Sequence, residues 1–319
     1  MVFDAPPATA SHSWMPSSPC GPGCIEPIDE VGTARTLARL AGVVGLVLSF
    51  PVLTVATPKS RREHLQRRYA RAALSCLGMR LRVVDNRHTP AEGASTAGFG
   101  DAGTPVLVVA GHIGWADVVA LAAVQPVGFV ARADMVDWPV LGKLARLTRV
   151  IPIERARLRE LPGVVEQVAG RLREGNRIAV FPEGTTWCGR AYGSLRPAMF
   201  QAAIDTGTPV QPVRLRYLDE HGTPCTVPGF VGTDTFGDSA KRVLRSKGMV
   251  VEIVLEPQEW PGTDRRELAR RCEAAVRGAD RSRHGLRDTE WIESGRTRVQ
   301  DPSKGEQAPV RRPVLATRR

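Results

Sequence analysis

The chain has 319 residues, 42% of them hydrophobic but only 5% aromatic, and a formal net charge of +11. That is enough apolar content for a substantial core, as one large α/β domain with appendages or as two small domains. The charge, carried almost wholly by Arg, favours an anionic partner; basic stretches without interleaved aromatics or a binding motif argue against nucleic acid and leave phospholipid headgroups.

Residues 1–30 are rich in Pro, Ser and Gly, with no basic start leading into an apolar core. This predicts a disordered tail over 1–35 and no secretory signal. Leu40 to Ala56 is the most hydrophobic segment and carries no charge. It falls a little short of the ~20 residues of a spanning helix, and Pro51 interrupts it. Three readings follow: a tilted span, a helical hairpin in one leaflet, or a buried core helix. Behind it, Lys59, Arg61, Arg62, Arg67, Arg68 and Arg71 alternate with Leu65, Tyr69, Ala72 and Cys76 at helical spacing. A basic amphipathic helix beside an apolar one favours a membrane-associated segment over 36–80, with the rest of the chain at the cytoplasmic face of the cell membrane.

From 81 to 279 the pattern alternates. Strands are predicted at Leu81–Val84, Val106–Ala110, Val127–Ala131, Val150–Ile153, Arg177–Phe181, Val210–Tyr217 and Val250–Leu255. Between them, a loop spans Asn86–Thr104, and helices are expected from about Asp117, over Trp138–Leu147, through Leu161–Leu172 up to Gly175, and over Pro197–Asp205. Gly222–Gly248 reads as a Gly-rich excursion, and Asp264 with Glu267 reads as a capping box opening a last helix. The fold class is α/β, a mostly parallel sheet flanked by helices. Residues 280–319 have many charges and little periodicity, and read as a disordered basic tail.

Two strand ends carry chemistry. Val106–Ala110 is an uninterrupted apolar run, so it belongs inside a parallel sheet, and His112 stands just past its carboxyl end. Asp117 follows five positions later. A carboxylate that accepts from one imidazole nitrogen leaves the other free as a base. The alternative is a strand-end histidine beside an N-capping aspartate. About seventy residues on, Phe181-Pro182-Glu183-Gly184-Thr185-Thr186 closes another apolar strand and should face the same edge. Six cysteines (Cys20, Cys24, Cys76, Cys188, Cys225, Cys272) show no second pair at zinc spacing, and read as reduced thiols without a structural metal.

Together, in this order, the blocks resemble the 1-acylglycerol-3-phosphate O-acyltransferase family. The first block is His112 to Asp117, the second Val150-Ile151-Pro152-Ile153-Glu154-Arg155, the third Phe181 to Thr185, and the fourth Val210-Gln211-Pro212-Val213. Arg132, Trp138, Pro139 and Gly142 mirror a further basic, Trp/Pro, Gly pattern. The resemblance implies an O-acyltransferase that moves a fatty acyl group from acyl-CoA or an acyl carrier protein to a lysophospholipid-type hydroxyl. His112 would be the base, oriented by Asp117; Arg155, Glu183, Gly184, Thr185, Thr186 and Arg132 would form the substrate site. No metal and no cofactor beyond the thioester co-substrate is implied. Three positions depart from the family pattern: Gly111 where Asn is frequent, Gly114 where Ser is frequent, and Thr186 where Arg is common. With Trp115, Thr186 is similar to lyso-ornithine lipid acyltransferases. The same departures keep a weakly active or inactive lipid-binding protein as the reading from a different class. Donor, chain length and oligomeric state are left open.

Overall fold

The computed structural model describes residues 15–87, 98–101, 103–133, 150–154 and 157–278. The expected helix at Trp138–Leu147, Arg155 and the expected tail at 280–319 lie outside the described residues.

Two helices come first, α1 (Thr33–Ala56) and α2 (Lys59–Cys76). α1 has 24 residues and Pro51 lies inside it. Contrary to the sequence expectation, the proline does not interrupt the helix, and the helix begins before Leu40. Starting at Thr33, it reaches about 36 Å at 1.5 Å per residue, more than the ~30 Å hydrocarbon layer. By length and composition α1 can cross a membrane. Phe50 and Thr54 are its buried residues. Phe50 packs edge-on to Tyr69 of α2 at 5.2 Å, and the Tyr69 hydroxyl donates to Ser49 Oγ at 3.0 Å. The opposite stripe is bare: Leu48 is 70% exposed and Val55 74%. A core helix would bury that stripe.

Among the described residues, seven strands follow: β1 (Met79–Asp85), β2 (Val106–Ala110), β3 (Gly128–Arg132), β4 (Ile151–Ile153), β5 (Arg177–Val180), β6 (Val210–Leu218) and β7 (Met249–Leu255). They form a sheet in the order β1-β7-β6-β2-β5-β3-β4. Every neighbouring pair is parallel except β6 and β7. β2 is central and wholly buried, with Leu107 in register with Ile178 of β5 and Val210 of β6. Because β2 and β5 run the same way, the turns that follow them leave one edge side by side.

Among the described residues, five further helices cover the sheet: α3 (Ala116–Val124), α4 (Leu161–Arg173), α5 (Phe200–Thr206), α6 (Phe236–Arg245) and α7 (Arg265–Arg277). The period-two alternation of β2 separates two apolar layers. Val106, Val108 and Ala110 join Leu74, Leu121 and Val243 on one side. Leu107 and Val109 join Val168, Leu172, Phe200, Leu268 and Cys272 on the other. Each fully buried Leu or Phe there contributes about 1.5–3 kcal/mol. α4 stops as its sequence requires. Gly175 takes φ +80°, its amide bonds the Leu172 carbonyl, and the Asn176 amide bonds the Arg171 carbonyl.

Two segments differ from expectation. The Gly-rich excursion contains α6, opened by a capping box in which Thr235 accepts from the Asp238 amide and Asp238 accepts from the Thr235 amide. α6 sets Phe236, Ala240, Val243 and Leu244 at helical spacing, but over only 10 residues, and its start at Gly237-Asp238-Ser239 reads as a turn. Residues 15–32, part of the expected tail, lie against the domain instead. The Val31 amide donates to the Arg245 carbonyl at 2.7 Å, and the Lys247 amide to the Asp29 carbonyl at 2.8 Å. Their Pro/Gly composition hid this, because the contacts that order them lie about two hundred residues away.

Candidate active site

β2 delivers His112 to the carboxyl edge of the sheet, and the turn from Gly111 to Trp115 bends it back over α3. Asp117, in the first turn of α3, is fully buried. Its Oδ2 lies 2.9 Å from His112 Nδ1 and accepts from the amides of Ile113 (2.7 Å) and Gly114 (3.0 Å). Its Oδ1 accepts from the Tyr217 hydroxyl at 2.8 Å. A buried carboxylate costs several kcal/mol unless its lone pairs are filled, and here four donors fill them. Burial, and then the Asp117 charge, push the Tyr217 phenol well above its ordinary value, so it stays a donor. This arrangement selects the tautomer with the proton on Nδ1 and leaves Nε2 as the acceptor. The imidazole stacks on Phe181 at 4.1 Å, which fixes its plane.

Glu183 emerges beside it from the end of β5. Its carboxylate is 1% exposed and turned inward. Oε2 accepts from the His112 amide at 2.5 Å, while Oε1 accepts from the Gly193 amide at 3.1 Å and from Arg277 Nη2 at 2.5 Å. Burial pushes this carboxyl up; Arg277 and the two amides pull the other way. Arg277, near the end of α7, also lies over the Tyr192 ring at 4.2 Å. Glu183 therefore ties three segments together: the His112 turn, the Gly193 loop and α7.

The departures from the family pattern have local causes. A Cβ on Gly111 would stand 2.8 Å from Arg277 Nη1, so Arg277 fills the space an Asn side chain would need. A Cβ on Gly114 would stand 2.3 Å from the Pro228 carbonyl oxygen, which shuts out serine. That loop is bound on both sides. The Phe230 amide donates to the Ile113 carbonyl at 2.9 Å, and the Thr186 hydroxyl donates to the Phe230 carbonyl at 2.5 Å. Glycine at 114 and threonine at 186 thus accommodate one and the same loop.

The remaining residues named from sequence are placed as follows. Gly184 has φ +74°, and a Cβ there would meet Pro16 Cγ at 2.6 Å. Thr185 is half-buried next to it. Arg132, exposed, ends β3 on the same sheet edge as His112, with β5 between β3 and β2. Arg155 lies outside the described residues. Sequence reasoning missed Tyr217 and Arg277, and named Phe181 in the third block without its stacking on His112. Tyr217 reads as one more apolar strand position, and Arg277 as one Arg among many.

The acyltransferase family model matches residues 80–216. The lyso-ornithine lipid O-acyltransferase of Brucella abortus is 31% identical over 264 residues, covering 77% of this chain and 94% of the relative. The 1-acyl-sn-glycerol-3-phosphate acyltransferase of Neisseria gonorrhoeae is 32% identical over 176 residues, 54% of this chain and 68% of its own. Among solved structures, the 1-acyl-sn-glycerophosphate acyltransferase PlsC of Thermotoga maritima shares the fold, with a TM-score of 0.54 at 16% identity over 84% of this chain and 97% of that one. With the four sequence blocks and this similarity in agreement, the chain belongs to the acyltransferase family that contains the lyso-ornithine lipid and 1-acylglycerol-3-phosphate acyltransferases.

Proposed function

We propose that this O-acyltransferase uses His112 as its general base and transfers a fatty acyl group to the hydroxyl of a lyso-lipid. The observation that carries it is the buried Asp117 carboxylate on His112 Nδ1 at 2.9 Å, at the carboxyl edge of a parallel strand. Nε2 takes the proton from the acceptor hydroxyl as its oxygen attacks the thioester carbonyl. The tetrahedral intermediate then expels the thiolate, which recovers that proton from the imidazolium. No acyl-enzyme is required. The thiol released is that of coenzyme A or of an acyl carrier protein. Arg132, at the end of β3, and Arg155 serve the acceptor headgroup. Glu183 and Gly184 act by shaping the turn that carries His112.

For the acceptor, we favour lyso-ornithine lipid over lysophosphatidate. A phosphomonoester near two negative charges draws on more cationic donors than a headgroup that carries its own cation. Thr186 takes a place where a further guanidinium is common, and its own hydroxyl is spent on the Phe230 carbonyl. The long match to the Brucella abortus enzyme points the same way. The test is direct competition between the two lyso-lipids for one thioester donor; a preference for lysophosphatidate overturns this choice. We place the catalytic edge at the cytoplasmic face of the membrane, with α1 in the bilayer and the arginines of α2 on its anionic headgroups.

A further inference from the structure

Three thiols that are far apart in sequence meet beside the third block. Cys20 and Cys24 sit on the arm that precedes α1, and Cys188 follows Trp187 in the loop after β5. Their sulfurs all lie within 4.8 Å of one another. Cys20 and Cys188 are buried and Cys24 is half-buried, in a small cluster with Trp187, Ala191, Val231 and Ile25.

Gly189, at φ +89°, turns the chain directly after Cys188. On the arm, Gly21 and a short turn over Pro22–Cys24 close the Cys20-Gly-Pro-Gly-Cys24 segment, with the Cys24 amide on the Gly21 carbonyl at 2.9 Å. Two cysteines separated by three residues fall within ordinary zinc-ligand spacing. The missing ligand was invisible in the sequence because it lies more than 160 residues away.

We propose that Cys20, Cys24 and Cys188 bind one zinc ion, which clamps the arm to the loop carrying Glu183. Zinc–sulfur bonds of about 2.3 Å place tetrahedral sulfurs roughly 3.8 Å apart, so the three thiols need to close by no more than about 1 Å. Three sulfur ligands favour a thiophilic ion over calcium or magnesium. The fourth position is left to a water molecule. Each coordinating thiol gives its proton to solvent, so uptake releases protons and tightens as pH rises.

The clamp has a local consequence. Pro16 packs on Gly184, and Glu26 pairs with Arg190 and donates its amide to Thr226 Oγ1 at 2.8 Å. The arm therefore covers the back of the Glu183 turn, and the ion would hold it there independently of the membrane helix that follows.

The test uses the full-length protein purified in detergent under reducing conditions, loaded with zinc or with cobalt(II). The expected result is one zinc per chain by elemental analysis, and thiolate-to-cobalt charge-transfer absorption in the near ultraviolet. Both should be lost in Cys188→Ser and in Cys24→Ser, and kept in Cys76→Ser. Cys24 is only half-buried, so Cys24→Ser remains informative if Cys188→Ser fails to fold. Chelation should also open the 15–32 arm to proteolysis. Zinc binding that survives Cys24→Ser, a chain that takes up neither metal, or an intact mass showing a disulfide among these cysteines in protein purified without reductant would each overturn the proposal.

Discussion

The catalytic edge and α1 are opposite answers to the same physical problem. At the edge, two carboxylates are buried almost completely, and protein donors meet each of them: His112, Tyr217 and two amides for Asp117, Arg277 and two amides for Glu183. Along α1, large apolar side chains face outward, with Val52 at 68% exposure beside Leu48 and Val55. Both edge carboxylates are met by donors of this chain. The helix is complete only in a surrounding that accepts apolar surface, which is the role we assign to the bilayer.

The largest effect should come from the reacting pair. His112→Ala and Asp117→Ala are each expected to lower turnover about 100- to 10,000-fold, measured with donor and acceptor both saturating. His112→Ala should also lower the thermal unfolding midpoint, at a cost of about 1.5–3 kcal/mol for one hydrogen bond to a charged group, because the buried Asp117 then keeps only three of its four donors. Near wild-type turnover in either variant would show that the dyad is not the base.

The second carboxylate separates the edge into a chemical half and a holding half. Arg277→Met removes the cation from a buried pair, a class of change that costs about 3–5 kcal/mol, read by denaturant unfolding. The loss should be greater at pH 8 than at pH 5. Burial pushes the native Glu183 carboxyl above its unfolded value. The native state then holds the extra proton, and stability falls as pH rises from the ordinary Glu value through the raised one. Without Arg277 that rise is larger and the window wider. A loss independent of pH would mean that Arg277 matters for packing on Tyr192 and not for its charge.

The other region is broken from its surface. Leu48→Asp with Val52→Asp and Val55→Asp should move the protein from the membrane to the soluble fraction. A charge costs about 2.5–3.5 kcal/mol at the centre of a span and less toward its end, so Leu48→Asp should carry the largest share of the three. Residual binding to anionic vesicles should persist through α2 and vanish with added salt. Unchanged membrane pelleting would remove α1 as the anchor. The smallest effect is expected at Thr186→Arg, a shift of a few-fold toward lysophosphatidate in the competition assay, since one charge-assisted bond to a charged group contributes about 1.5–3 kcal/mol less the lost Phe230 contact.

Much of the fold was legible because it is written in local periodicity. The wholly apolar β2, the amphipathic α4 with its Gly175 stop, and the two strand-end blocks follow from residues close together in the chain. The same edge for His112 and Glu183 follows from parallel strands. α1 was misjudged in length because its first turns are mixed in polarity, and α6 was missed because its apolar stripe spans only 10 residues inside a Gly-rich stretch.

The sequence by itself determined which residues stand at strand ends and which family their order matches. Only the tertiary structure decided what meets them there: Tyr217 on Asp117, Arg277 on Glu183, the Pro228–Phe230 loop over Gly114 and Thr186, and Cys20 with Cys24 on Cys188. Each of these contacts joins segments dozens to hundreds of residues apart. A side chain's local pattern reports the element it sits in, while a hydrogen bond or a steric limit depends on the atom across the gap, which the neighbouring sequence does not encode.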